Sequence, residues 1–414
     1  MVTPRCAATT SGGKQCRKRP IEDSPYCRTH GFGDNGESED GENGREAKTH
    51  GAGAAADRGD WIRREVENLV RTTLGRLPIS RVFPNLSPGG IVSAFRENLE
   101  RLSPHSRAEV LTLLRDFLLR RSEYLSGDTL KTAWQVLTSF VESGRDTLKR
   151  RLEGKYEVDE FGLDEEFLDL CRPIFNFLYR YYWRVETTGV RHVPGQGPCL
   201  IVANHSGVLP WDGAMVNIAI QEEHTEPRYA RMLYLDWFTS VPWVSTLLTR
   251  TGQVLACPEN GERLLNSDHL VGVFPEGLKG VGKQFKDRYQ LARFGRGGFA
   301  RMAIRCRAPI VPVSVVGAEE IHPVIWQSDT IAKLFGLPYF PITPTFPLLG
   351  LLGVIPLPSK WYIHFGEPIR TDEFDPKDAD NFLIVSRVAK QVRESIQSTI
   401  NSLRSRRGSV FLGR

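Results

Sequence analysis

Residues 199–220 read CLIVANHSGVLPWDGAMVNIAI. The apolar run 199-CLIVA-203 is too short for a helix and shows no polar alternation, as in a strand buried on both faces. It passes into His205 and a loop, and 214-AMVNIAI-220 then resumes as a helix. A strand end of this kind is where α/β proteins carry reactive groups. Imidazole can take a proton at neutral pH without a large pKa shift, and a carboxylate on its second nitrogen would fix the tautomer. Asp212, seven positions on, is the nearest carboxylate. It could equally cap the helix while His205 bonds to backbone. Spacing alone leaves both readings open.

Working outward, the runs 271-VGVF-274, 310-IVPVSVV-316 and 361-WYIHF-365 are separated by helical stretches and Gly/Pro turns. Alternation of this sort predicts an α/β domain with a mixed sheet and flanking helices over residues 183–414. It closes with a helix from about Asp380 to Arg404, whose Val385, Val388, Val392, Ile396 and Ile400 form one apolar stripe. Residues 59–182 read as a preceding helical region. Val110, Leu113, Leu114, Phe117 and Leu118 recur at helical spacing, as do Leu130, Trp134, Leu137 and Val141. A third run, Phe167 to Leu178, begins at Asp164 as N-cap and is expected to break at Pro173. Residues 31–58 are Gly, Ala and acidic residues without hydrophobic period, the composition of a flexible linker.

The first 30 residues hold Cys6, Cys16, Cys27 and His30 and almost no apolar side chains. Three thiolates and an imidazole are a donor set that tetrahedral zinc accepts, so a small structural zinc knuckle is expected; a tail with incidental thiols is the alternative. Seven cysteines form an odd set, and those beyond residue 30 lie scattered in apolar contexts. That fits reduced thiols and a cytoplasmic setting. The N-terminus lacks a signal-peptide core, and no uncharged apolar run reaches 18 residues. A formal net charge of +5 is too mild to suggest nucleic-acid binding, and none is expected.

The segments 204-NHSGVLPWD-212, 273-VFPEGLKG-280 and 310-IVPVSVVG-317 together resemble the glycerolipid (lysophospholipid, 1-acylglycerol-3-phosphate) acyltransferase superfamily, leaning to its diacylglycerol-acyltransferase-like branch. The likeness covers about 180 of the 414 residues. It implies an acyltransferase-type α/β core, an acyl-CoA or acyl carrier protein donor, a glycerolipid acceptor, peripheral membrane contact, and no cofactor for catalysis. It also implies His205 as general base, Asp212 as its orienting partner, and Phe274, Pro275, Glu276 and Gly277 as the acceptor-binding turn. Lys279 stands where many members carry arginine. Two features depart from the family. Six residues separate His205 from Asp212 where four are usual, so the loop must bulge, and 252-GQVLACP-258 has Pro258 where phosphate-acceptor enzymes commonly present arginine.

Between Lys279 and Arg307, nine basic residues accompany one acid, Asp287. An anionic substrate group or lipid headgroup nearby would explain them, as would a solvated face. Arg296, within 294-FGRGG-298, is the best individual candidate for contact with an anion. The uncharged stretch 339–361 is studded with Pro and Gly and suits an interfacial or acyl-contacting loop rather than a span. Trp237, Phe238, Trp243, Leu247 and Leu248 form a second such surface, and ordinary core is the alternative for each. Backbone N–H groups at Ser206 and Gly207 are candidates for stabilising an oxyanion. A hydrolase lacks a GxSxG elbow here; a non-catalytic lipid-binding scaffold remains the other alternative.

Overall fold

The computed structural model describes residues 126–236, 244–327, 332–333, 338–343, 345–346 and 353–411, with residues 100, 104 and 107. The zinc-knuckle residues, the linker, most of residues 59–125, and Trp237, Phe238 and Trp243 lie outside the described residues.

Helix α1, Gly127–Leu152, is capped by Ser126, whose hydroxyl accepts from the Thr129 N–H. Helix α2, Glu165–Phe177, is capped by Asp164 as expected, through the Phe167 N–H at 3.0 Å. It runs through Pro173 rather than breaking there. Pro173 is exposed, so the carbonyl deprived of its helical N–H partner can turn to water. A π-helical turn, Leu178–Tyr182, then delivers the chain to the sheet.

Seven strands form the main sheet: β1 Glu186–Thr188, β2 Cys199–Ala203, β3 Ala230–Tyr234, β4 Val254–Leu255, β5 Leu270–Val273, β6 Ile310–Val316 and β9 Tyr362–Phe365, in the order β1-β9-β6-β2-β5-β3-β4. All neighbours are parallel except β6 and β9, which makes the sheet mixed. β7 Trp326–Gln327 and β8 Pro341–Ile342 pair separately. The helices between are α3 Trp211–Glu223, α4 Val244–Arg250, α5 Pro258–Asn266, α6 Leu278–Val281 and α7 Gly298–Arg305, and α8 Phe382–Arg406 closes the chain.

The apolar runs are continuous because both faces of the sheet are covered. Leu200 and Val202 of β2 face a core built with α5, α7 and α8. Cys199, Ile201 and Ala203 face one built with α3, Trp183 and Trp361. The predicted stripe of α8, Val385 to Ile400, is wholly buried. Burial of each such aliphatic side chain contributes about 1.5–3 kcal/mol. Of the four predicted strands all are present, while β1, β3 and β4 carry too little apolar signal to be read in advance. Cys171 and Cys199 are buried free thiols, and Cys257 and Cys306 are half-buried and free. Among the described residues, no helix is long and apolar enough to cross a membrane.

Candidate functional site

Strands β2 and β5 lie side by side, parallel, with Val202 opposite Val273. The loops that leave their C-terminal ends therefore start from adjacent points, and His205 is brought to the Phe274–Gly277 turn although about 70 residues separate them in sequence. Asn204 makes the exit possible. Its side-chain amide donates to Val315 O at 3.0 Å and accepts from Val315 N–H at 2.7 Å, continuing the ladder to β6 after the backbone of β2 has turned away. Sequence reasoning did not assign Asn204 a part; its place beside the histidine was the available signal.

The wider gap to Asp212 is closed by the bulge the sequence required. Gly207 adopts φ +83, a conformation that favours glycine. Asp212 then meets His205: Nδ1 of the ring donates to Oδ2 at 2.7 Å. The same oxygen accepts the Ser206 N–H at 2.9 Å, and Oδ1 accepts the Gly213 N–H at 2.9 Å. Asp212 lies inside the first turn of α3, which starts at Trp211 with Pro210 in the cap position. The capping reading is therefore not met, because the helix has already begun before Asp212 and the imidazole bonds the carboxylate, although Oδ1 still accepts an N–H of the first turn. Trp211 packs edge-on against Trp183 at 5.7 Å, anchoring that turn. Because the Ser206 N–H is given to Asp212, it is not available to an oxyanion as expected.

Glu276 is buried, and its carboxylate is engaged on both oxygens. Oε1 accepts the backbone N–H of His205 at 2.9 Å. Oε2 accepts the Ala292 N–H at 2.5 Å and lies 3.3 Å from Lys283 Nζ. Lys283 also reaches Glu319 at 3.1 Å. Gly280 of α6 packs directly on the histidine: a Cβ there would stand 2.9 Å from His205 Cβ and 2.8 Å from Glu276 Cβ.

His205 opens on a cavity of about 520 Å³. Its walls are largely apolar and include Leu168, Phe175, Met232, Leu248, Phe299 and Met302, with Phe274, Pro275 and Gly277 of the turn. Glu276 does not line it. Lys279 and Arg296 are exposed and do not line it either, although Gly295 and Gly297 beside Arg296 do. Leu247 joins Leu248 on the wall, and Pro258 lies there too. None of the described residues of 339–361 lines this cavity; Leu357 packs with Phe285 and Phe411, while Val354 and Ile355 are exposed. The basic run does not form one face. Lys283 is buried between two carboxylates, Arg305 pairs with Glu262 and Asp380, and Arg288 lies over the Phe285 ring. Among the described residues, no cluster of His, Cys, Asp and Glu could hold a metal.

Residues 184–316 match the family model described as Acyltransferase. An uncharacterized protein of Mycobacterium tuberculosis is 48% identical over 267 residues, covering 64% of this chain and 75% of that one. The Bos taurus protein named "DGAT1/2-independent enzyme synthesizing storage lipids" is 24% identical, over 55% of this chain and 62% of its own. Among solved structures, the 1-acyl-sn-glycerophosphate (LPA) acyltransferase PlsC of Thermotoga maritima is similar over 70% of this chain and 100% of its own, with a TM-score of 0.42 and 15% identity. The chain belongs to the acyltransferase family, whose domain it carries at residues 184–316.

Proposed function

We propose that the protein moves a fatty acyl group from an acyl-CoA or acyl carrier protein thioester to a hydroxyl of a glycerolipid such as a lysophospholipid, with His205 as general base. The observation that carries this reading is the 2.7 Å bond between His205 Nδ1 and the Asp212 carboxylate, made by a ring on the wall of an apolar cavity. A carboxylate can only accept, so the proton sits on Nδ1 and the lone pair on Nε2. Nε2 would take the hydroxyl proton as the acceptor oxygen attacks the thioester carbonyl. Collapse of the tetrahedral adduct breaks the C–S bond, and the imidazolium returns the proton to the leaving thiolate. Buried Asp212 stabilises the cation formed between these steps. No enzyme-bound acyl intermediate is required.

The cavity suits an acyl chain, being apolar and of the size usual for small-ligand sites. Lys279 on α6 and Arg296, which is flanked by the cavity-lining Gly295 and Gly297, are exposed and suit an anionic part of either substrate. Peripheral membrane contact is supported by α1, which exposes Leu130, Trp134, Leu137 and Val141 and ends in Lys149, Arg150 and Arg151.

Incubation with acyl-CoA and a panel of lysophospholipids, monoacylglycerols and diacylglycerols, reading free CoA with and without acceptor, tests the reading. Release that depends on acceptor is expected. Release without acceptor means a hydrolase, and none in any arm removes the catalytic reading in favour of a lipid-binding scaffold.

A further inference from the structure

Behind the His205 loop lies a buried group of three charges that the reaction above does not use. Lys283 Nζ sits 3.3 Å from Glu276 Oε2 and 3.1 Å from Glu319 Oε1, and the three side chains are 8%, 0% and 5% exposed. Two carboxylates share one ammonium, so one negative charge is left over in a desolvated place. Glu276 and Glu319 each accept main-chain donors as well: His205 and Ala292 for the first, Tyr289 for the second at 2.7 Å. Tyr289 in turn receives the Gly317 N–H and Arg407 on its hydroxyl, at 3.0 and 3.1 Å. Tyr289 thus touches the segment after α8 through its hydroxyl and Glu319 through its main chain, and the polar contacts from Glu319 onward lead through Lys283 and Glu276 to the backbone of His205. Glu276 is the link whose ionisation matters most, because its charged form is the better acceptor for the His205 N–H.

We propose that Lys283, shared with Glu319, is a positioning residue that fixes the Glu276 carboxylate and thereby holds the main chain of His205 where its ring can act. The inference rests on the reading of His205 as base. The groups facing the cluster are few. Lys283 and Glu276 come from the two sides of α6, Arg288 and Tyr289 from the segment before α7, Glu319, Glu320 and His322 from the turn after β6, and Arg407 from the end of the chain. Glu320 is matched by Arg407 at 2.5 Å, while Lys283 lies within ion-pair distance of both Glu276 and Glu319. Burial raises the Glu319 carboxyl to about 7 even with Lys283 beside it, in keeping with two acids competing for one cation.

Lys283→Met tests this in the 414-residue chain. At neutral pH kcat is expected to fall roughly 10²-fold, the size of loss that follows a small misplacement of a catalytic group, with KM nearly unchanged. The acid limb of the kcat profile is expected to move to higher pH, because two uncompensated carboxylates retain a proton longer. The His205 amide proton, read by NMR on histidine-labelled protein without substrate, is expected to exchange faster with deuterium. Adding Glu319→Gln removes the competing acid and should restore part of the activity, which a loss of packing would not allow. An unchanged pH profile and unchanged His205 exchange in Lys283→Met overturn the proposal, as does a double variant no better than the single. Should Lys283→Met not fold, Glu319→Gln alone carries the test: its acid limb is expected to move to lower pH, and an unmoved limb overturns the proposal. A wild-type protein without acyl transfer removes the acyltransferase reading, while the exchange comparison still decides whether Lys283 holds His205.

Discussion

The ring of Phe274 lies stacked on the ring of His205, with centroids 4.4 Å apart and planes at 27°. The first residue of the Phe-Pro-Glu-Gly turn is thus a wall against which the imidazole rests, and the third holds its backbone. A ring pair of this kind contributes about 0.5–1.5 kcal/mol beyond its area. Phe274→Ala is expected to lower kcat about tenfold through a looser imidazole, with a smaller effect in Phe274→Leu. Steady-state kinetics on both variants check it; equal activity in all three proteins would mean that the stacking does not orient the ring.

Asp212→Asn keeps the shape of the side chain but not its charge. The neutral amide cannot stabilise an imidazolium and can present a donor to Nδ1, which favours the wrong tautomer. Loss of turnover on the order of 10³-fold or more is expected, and His205→Ala should abolish transfer. Circular dichroism should show both variants folded. Full turnover by folded His205→Ala would end the assignment of the base.

Gly280→Ala places a methyl where only 2.9 Å separates it from His205 Cβ and 3.1 Å from His205 O. The neighbours are backbone and the root of a side chain, so the loop must shift. About 1–3 kcal/mol of stability should be lost, as in other overpacked sites, together with most of kcat. Thermal melting and kinetics measured on the same preparation separate the two effects. Unchanged values in both would show that α6 gives way without moving the histidine.

Arg407 and Glu320 form a buried ion pair at the C-terminal end, with side chains 6% and 3% exposed. Arg407 also donates to Lys360 O at 2.9 Å and Val410 O at 2.5 Å. Arg407→Met strands the Glu320 carboxylate and is expected to destabilise the fold by about 3–5 kcal/mol. The double variant with Glu320→Gln should recover part of that. Urea unfolding of the three proteins provides the measurement.

The Glu319 carboxyl is raised by burial from its ordinary 4.5 to about 7. A raised folded-state pKa means that the folded chain holds this proton where the unfolded chain has released it. Stability is then fully present below about 4.5 and declines as pH rises to about 7. Glu319→Gln removes the titration, so relative to wild type the variant should gain stability progressively over that window, by up to about 3 kcal/mol, and no further above it. Parallel stability curves for the two proteins between pH 5 and 8 would contradict the shift.

We also expect one zinc ion on Cys6, Cys16, Cys27 and His30, read by elemental analysis and lost on replacing any of these cysteines by serine. Deleting residues 1–58 should leave turnover within about twofold, as the linker-type composition of residues 31–58 leads one to expect. A large loss would contradict the independence of that segment.

Much of this was written in the order of residues. The buried strands β2 and β6 and the stripe of α8 were legible because strand and helix periods are local properties, set by backbone geometry within a few residues. His205, Asp212 and the Phe274–Gly277 turn were legible because each motif is contiguous. What the sequence left open was which atoms meet. Whether Asp212 capped a helix or held the imidazole depended on a bulge at Gly207, and Glu276 proved to reach the histidine main chain instead of the cavity. Lys283 read as one of nine basic residues beside a single acid, and its partners became visible only once β6 delivered Glu319 to it. Such pairings join segments far apart in the chain, and they are fixed by the parallel register of β2, β5 and β6, in which side-chain packing across the sheet decides which strand ends lie side by side.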